Sequence, residues 1–125
     1  MRHFTSIQTQ VRDITALRAA CAELGVELTE NAVARGYGTN THKGEYVIKL
    51  HGPYDVAVTR TDDGTYALVS DFWDGHVEKE VGTNYGRLLQ LCGVHKARIE
   101  VQRKGYAVRR QTLADGAIKL TIGGV

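Results

Sequence analysis

Apolar residues recur along this chain with two different periods, and the switch between them marks out its elements. Both periods occur in succession between Thr83 and Ile122. Tyr85, Leu88, Leu89, Cys92 and Ile99 lie at helical spacing on one face. Thr83 or Asn84 supplies the expected N-cap. Arg103 and Lys104 sit in the last turn, where cations suit the negative end of the helix dipole. Gly105 is the expected left-handed stop. Gly86 and Gly93 lie inside, each costing about 1 kcal/mol relative to alanine. The helix is therefore either held by packing or broken near Gly93.

Beyond the stop the period falls to two. Tyr106, Val108, Arg110 and Thr112 alternate with Ala107, Arg109 and Gln111. After Asp115-Gly116, residues Ala117, Lys119 and Thr121 alternate with Ile118, Leu120 and Ile122. An Asp-Gly pair between two such runs predicts a β-hairpin. Tyr106, Val108, Ile118, Leu120 and Ile122 are expected to face the helix. Arg109, Arg110 and Lys119 are expected along the rim or outward.

Upstream, alternation over His3–Val11 predicts a strand, and Asp13 caps a helix over Ile14–Leu24 that ends at Gly25. Val26, Leu28 and Val33 belong to a second strand or an irregular edge. The glycine-rich run Gly36–Gly44 reads as an exposed loop, and it lacks the Gly-Lys-Ser/Thr of a Walker-type phosphate loop. Three strands follow as a meander: Tyr46–His51, Asp55–Arg60 and Tyr66–Asp71, with turns at Gly52-Pro53-Tyr54 and Asp62-Asp63-Gly64. A short helical turn from His76 carries Val77 and Val81. This order predicts a single α+β domain over residues 1–125, an antiparallel sheet with two main helices on one face and a C-terminal β-hairpin.

Composition narrows the function classes. Hydrophobic residues make up 42% and charged residues 24%, ordinary for a globular domain. No apolar run reaches membrane-span length, and Met1-Arg2-His3-Phe4 leads into a polar strand rather than a signal sequence. The expected address is the cytoplasm or its organellar equivalent, with no membrane partner. Cys21 and Cys92 fall on predicted apolar helix faces and read as buried free thiols.

Charge changes the picture more. Residues 1–86 hold eight Lys/Arg and twelve Asp/Glu, net −4, while residues 87–125 hold eight and two, net +6. The basic end either neutralises the acidic front half or meets an acidic partner. Lys96, Arg103, Lys104, Arg109, Arg110 and Lys119 are the candidate partner-binding residues. The same cations, with Arg98 and with Tyr106 to stack on a base, could instead contact nucleic acid, although no recognised binding motif accompanies them.

Catalytic signals are sparse. His3, His42, His51, His76 and His95 lack the i, i+4 spacing of metal ligands. His3 reads as a sheet-edge residue and His95 as a helix-rim residue. Asp71, Asp74, Glu78 and Glu80 read as a solvated loop and helix start rather than a carboxylate site. Cys92 on an apolar stripe is not a nucleophile. A small enzyme built around His42 and Asp71 stands as a third reading. Neither a cofactor nor a metal is expected.

The opening Met1-Arg2-His3-Phe4-Thr5-Ser6-Ile7-Gln8-Thr9-Gln10-Val11-Arg12-Asp13 resembles the start of one family. This is the domain of unknown function twelve fifty-seven, which includes the hypothetical chloroplast reading frame thirty-five proteins. His95-Lys96, Lys104-Gly105-Tyr106 and Asp115-Gly116-Ala117-Ile118-Lys119-Leu120 extend the resemblance to the far end. The chain departs from it at Cys92, Gly93 and Val94, where the family helix carries aromatics before the histidine. The resemblance implies a bacterial, phage or plastid protein of uncharacterised role, in the company of AAA-type ATPases. It implies no catalytic residues. The reading that follows is a non-enzymatic binding module or adaptor acting with such an ATPase.

Overall fold

The computed structural model describes residues 4–123. Strand β1 (Phe4–Gln8), helix α1 (Ile14–Leu24), and strands β2 (Glu27–Arg35), β3 (Thr41–Lys49), β4 (Val56–Arg60) and β5 (Tyr66–Asp71) come first. The short α2 (Glu78–Val81), the long α3 (Gly86–Arg103), β6 (Ala107–Thr112) and β7 (Ile118–Gly123) complete the chain. Strands β1 to β5 form one antiparallel sheet in the order β1-β5-β4-β3-β2, and β6 and β7 form a separate two-stranded sheet. The α+β class, the two helices and the terminal hairpin are as the periodicity predicts.

Alternation gives the large sheet its two faces. On one, Leu28, Ile48, Val56, Val58, Tyr66 and Leu68 meet Leu17, Ala20 and Cys21 of α1 and Leu88, Leu91 and Cys92 of α3. Val77 and Val81 are fully buried in the same cluster, so the short turn around α2 plugs this core. The Asp13 carboxylate accepts the Thr15 and Ala16 N–H groups, and Gly25 closes α1 in the left-handed conformation, both as expected.

The other face is covered by the chain itself. Hairpin β2–β3 bends where Asn31 takes a positive φ of 47° and Gly44 crosses the sheet. A Cβ at Gly44 would stand 2.7 Å from the Tyr46 carbonyl oxygen and 3.1 Å from the Ala57 Cβ, so the crossing requires glycine. The folded-over half buries Ala34 with Val47, Ala57 and Val69. Arg35 then reaches Asp55, which is fully buried. The Arg35 Nε and Nη2 donate to the two Asp55 oxygens at 2.8 Å each, and the Arg35 and Leu50 backbone N–H groups add bonds of 3.0 and 3.1 Å. Burial pushes the Asp55 carboxyl upward, but these donors outweigh it and hold it below the usual carboxylate range.

Several elements differ from expectation. The first strand ends at Gln8, short of Val11; beyond it the Thr9 N–H and hydroxyl both donate to the Tyr66 carbonyl, the hydroxyl accepts the Val11 N–H, and the Tyr66 N–H donates to the Val11 carbonyl. The loop expected over 36–44 is confined to 36–40, since Thr41–Gly44 pairs with Ala32–Arg35 in the bent hairpin. Helix α3 runs unbroken through Gly93. Neither Thr83 nor Asn84 caps it. The boundary residue is Tyr85, itself left-handed at φ 63°, with its ring buried against Phe72 and its hydroxyl bonded to Ser70. Ring burial thus decides a start that side-chain capping would have placed earlier. The buried residues are Tyr85, Leu88, Leu91, Cys92 and Val94, while Leu89 and Ile99 are half-buried.

Candidate functional site

The hairpin β6–β7 begins at the helix stop. Gly105 has φ +90°, and the Tyr106 N–H returns to the Val101 carbonyl, closing α3. At the far end the Gly116 N–H donates to the Leu113 carbonyl and the Leu113 N–H to the Ala117 carbonyl. This is a three-residue turn with glycine at its left-handed position. The register pairs Val108 with Ile122, Arg110 with Leu120 and Thr112 with Ile118, so these six share one face. Arg109, Gln111, Lys119 and Thr121 form the other.

The inner face is thinly covered. Ile118 is the hairpin residue that packs against the main core. Val108 and Leu120 are half-buried. Tyr106 and Ile122, expected against the helix, remain 46% and 52% exposed.

The hairpin is instead held by polar contacts. Arg110 donates from both terminal nitrogens to the Glu23 carboxylate of α1, at 2.8 and 2.7 Å. His95 Nε2 lies 2.8 Å from the same carboxylate. Arg98 Nε donates to His95 Nδ1 at 3.3 Å, so Nδ1 is the acceptor and Nε2 carries the proton shared with Glu23. The paired Arg110, with His95 beside it, lowers the Glu23 pKa to about 2. Gln90 adds a bond to the Gly116 carbonyl.

The six cations expected to meet a partner therefore divide. Arg110 is committed to Glu23, and Lys96 pairs with Glu100 one turn along the helix at 3.1 Å. Arg103, Lys104, Arg109 and Lys119 are exposed, and none makes an ion pair among the described residues. Arg103 and Lys104 lie at the helix end, and Arg109 and Lys119 on the outer face of the hairpin.

The residues weighed for catalysis are placed differently. Asp71 is buried and accepts the Tyr37 and Trp73 N–H groups at 3.0 and 2.9 Å, pinning two loops. His42 rests against the Phe4 ring at 5.4 Å. Glu80 accepts the His51 and Gly52 N–H groups, while Asp74 lies 3.7 Å from His76. Cys21 and Cys92 are buried free thiols, each raised to about 12 chiefly by burial. No three His, Cys, Asp or Glu side chains are grouped as for a metal among the described residues. His3 lies outside them. No helix among them is long and apolar enough to cross a membrane.

A family model described as "Protein of unknown function (DUF1257)" matches residues 20–121. The protein described as "Uncharacterized protein ycf35" from Pyropia yezoensis is 30% identical over 126 residues, covering 98% of this chain and 96% of that protein. No solved structure matches the chain.

Proposed function

We propose that this chain, which belongs to the DUF1257 family of proteins of unknown function, is a non-enzymatic binding module that docks a protein partner through its basic C-terminal end. One observation carries the reading. The hairpin and the end of α3 carry four exposed cations, Arg109 and Lys119 on the outer face of the hairpin and Arg103 and Lys104 at the helix end, that make no ion pair among the described residues. An isolated hairpin is marginal in water, and this one is braced by Arg110 on Glu23 at mid-strand and by Gln90 at its turn. Its outer face is left for an acidic surface.

An AAA-type ATPase is the first partner to test. Lys96, Arg103, Lys104, Arg109, Arg110 and Lys119 form the proposed contact set, with Arg110 also bracing the hairpin. The test is co-purification from a native lysate, comparing the wild type with the charge-reversal double variant Arg109→Glu/Lys119→Glu. Loss of the partner with an unchanged melting temperature is expected. Recovery of no stable partner by the wild type would overturn the reading.

Tyr106, exposed beside Lys104, favours a second reading, single-stranded nucleic acid. Its signature is an affinity that falls steeply with salt. A flat or absent response to RNA and DNA removes it.

A further inference from the structure

A cavity of about 400 Å³ opens where the segment between β1 and α1 passes over α3. Its floor is Val11, Ala16, Leu89, Cys92 and Gly93, and Arg12 and Lys96 stand at its rim. This volume lies in the range of small-molecule sites. We infer that this cavity binds a small molecule with an apolar body and a single anionic head, a medium-chain carboxylate being the simplest example.

Three observations carry the inference. The first is the apolar floor, which suits a hydrocarbon body. The second is Gly93, in the middle of α3. A Cβ built there meets nothing within 4 Å. A helix-interior glycine is costly, and the usual reason for one is the close approach of another part of the chain. No such approach exists among the described residues. The glycine leaves open the space that a ligand would fill, and any larger side chain would enter the cavity.

The third observation is the charge at the rim. Arg12 spends one guanidinium nitrogen on the Asp63 carbonyl, at 2.6 Å. Lys96 holds Glu100 in an exposed i, i+4 pair, the weak kind that yields readily to a competing anion. The one carboxylate in the lining, Asp13, turns Oδ1 to the first N–H groups of α1. Arg12 and Lys96 therefore line the site while held by their present partners, the Asp63 turn and Glu100, which a ligand anion would displace, and the Asp13 carboxylate is already committed to the helix. The site is separate from the hairpin's outer face and shares only Lys96 with the proposed docking set, so Gly93→Leu, outside that set, tests it apart from the docking role.

The experiment titrates the full chain with sodium decanoate by isothermal calorimetry, with decanol and decylammonium alongside. Saturable one-to-one binding of decanoate below about 1 mM is expected, with decanol at least about tenfold weaker and decylammonium silent. Gly93→Leu should abolish binding while the melting temperature holds or rises, since leucine is the better helix former. Lys96→Gln should weaken decanoate about tenfold and leave decanol unchanged. Should Gly93→Leu fail to fold, Gly93→Ser serves, with a smaller loss expected. Absence of decanoate binding overturns the inference. So does equal affinity for decanoate and decanol, or undiminished binding by a folded Gly93→Leu. A wild type that dimerises, and that Gly93→Leu makes monomeric, would give the groove to a second copy and overturn it as well.

Discussion

The body and the terminal hairpin are both antiparallel β-structure, yet opposite forces hold them. In the body, both sheet faces are covered, one by α1 and α3 and the other by the bent half of β2–β3. Its buried charge at Asp55 is fully partnered, while Thr59 Oγ1 and His76 Nδ1 are buried without a hydrogen bond among the described residues. In the hairpin, most residues of both strands are exposed, and the firmest attachment is the Arg110–Glu23 pair. Apolar burial is worth about 25 cal/mol per Å² and fixes an element whatever the salt or pH. A partly exposed ion pair is worth about 1 kcal/mol or less and depends on both. The same strand geometry can thus be a scaffold in one place and a conditionally attached arm in another.

The contrast can be broken by substitution. Leu91→Ala removes a buried side chain between helix and sheet and should cost about 3 kcal/mol in urea unfolding. Asp55→Asn should cost about 2 to 3 kcal/mol, because a buried carboxylate with Arg35 and two backbone donors loses its charge. If either proves neutral, the body is not packed as described.

Smaller effects should mark the hairpin. Glu23→Gln should cost about 1 kcal/mol and increase hydrogen exchange across 107–123 without loosening the sheet. Glu23 also gives the hairpin a pH dependence with a definite sign. Its folded pKa, about 2, lies below its ordinary value of 4.5. Its stabilisation is complete above the ordinary value and is lost as pH falls from there toward the folded one. Glu23→Gln should flatten that part of the acid unfolding curve. Smallest of all, Ile122→Ala should change stability by less than about 0.5 kcal/mol, since its side chain is half in water already. A loss as large as that at Leu91 would mean that the hairpin belongs to the core.

Much of this architecture was written in local pattern. Asp13 and Gly25 bounded α1, Gly105 stopped α3, and the Asp115-Gly116 turn set the hairpin, because each choice depends on the φ and hydrogen bonding of a few neighbouring residues. Charge counting also found the basic end, since net charge needs no coordinates. Family membership was legible for a related reason: short motifs at both ends survive as strings.

Other features depended on residues far apart in the chain. Tyr85 starts α3 because its ring and hydroxyl find Phe72 and Ser70. Gly44 is crowded by Ala57 and Val58 beneath the crossing as well as by the nearby Tyr46 carbonyl. The division of the cations rests on Glu23, separated from Arg110 by most of the chain. The cavity above Gly93 exists only where the Gln8–Asp13 segment passes the helix. Local pattern determined which elements form, because backbone preference and periodicity act over a few residues. Tertiary contact decided what those elements bury, pair and leave open, because burial and ion pairing are properties of groups that only the fold brings together.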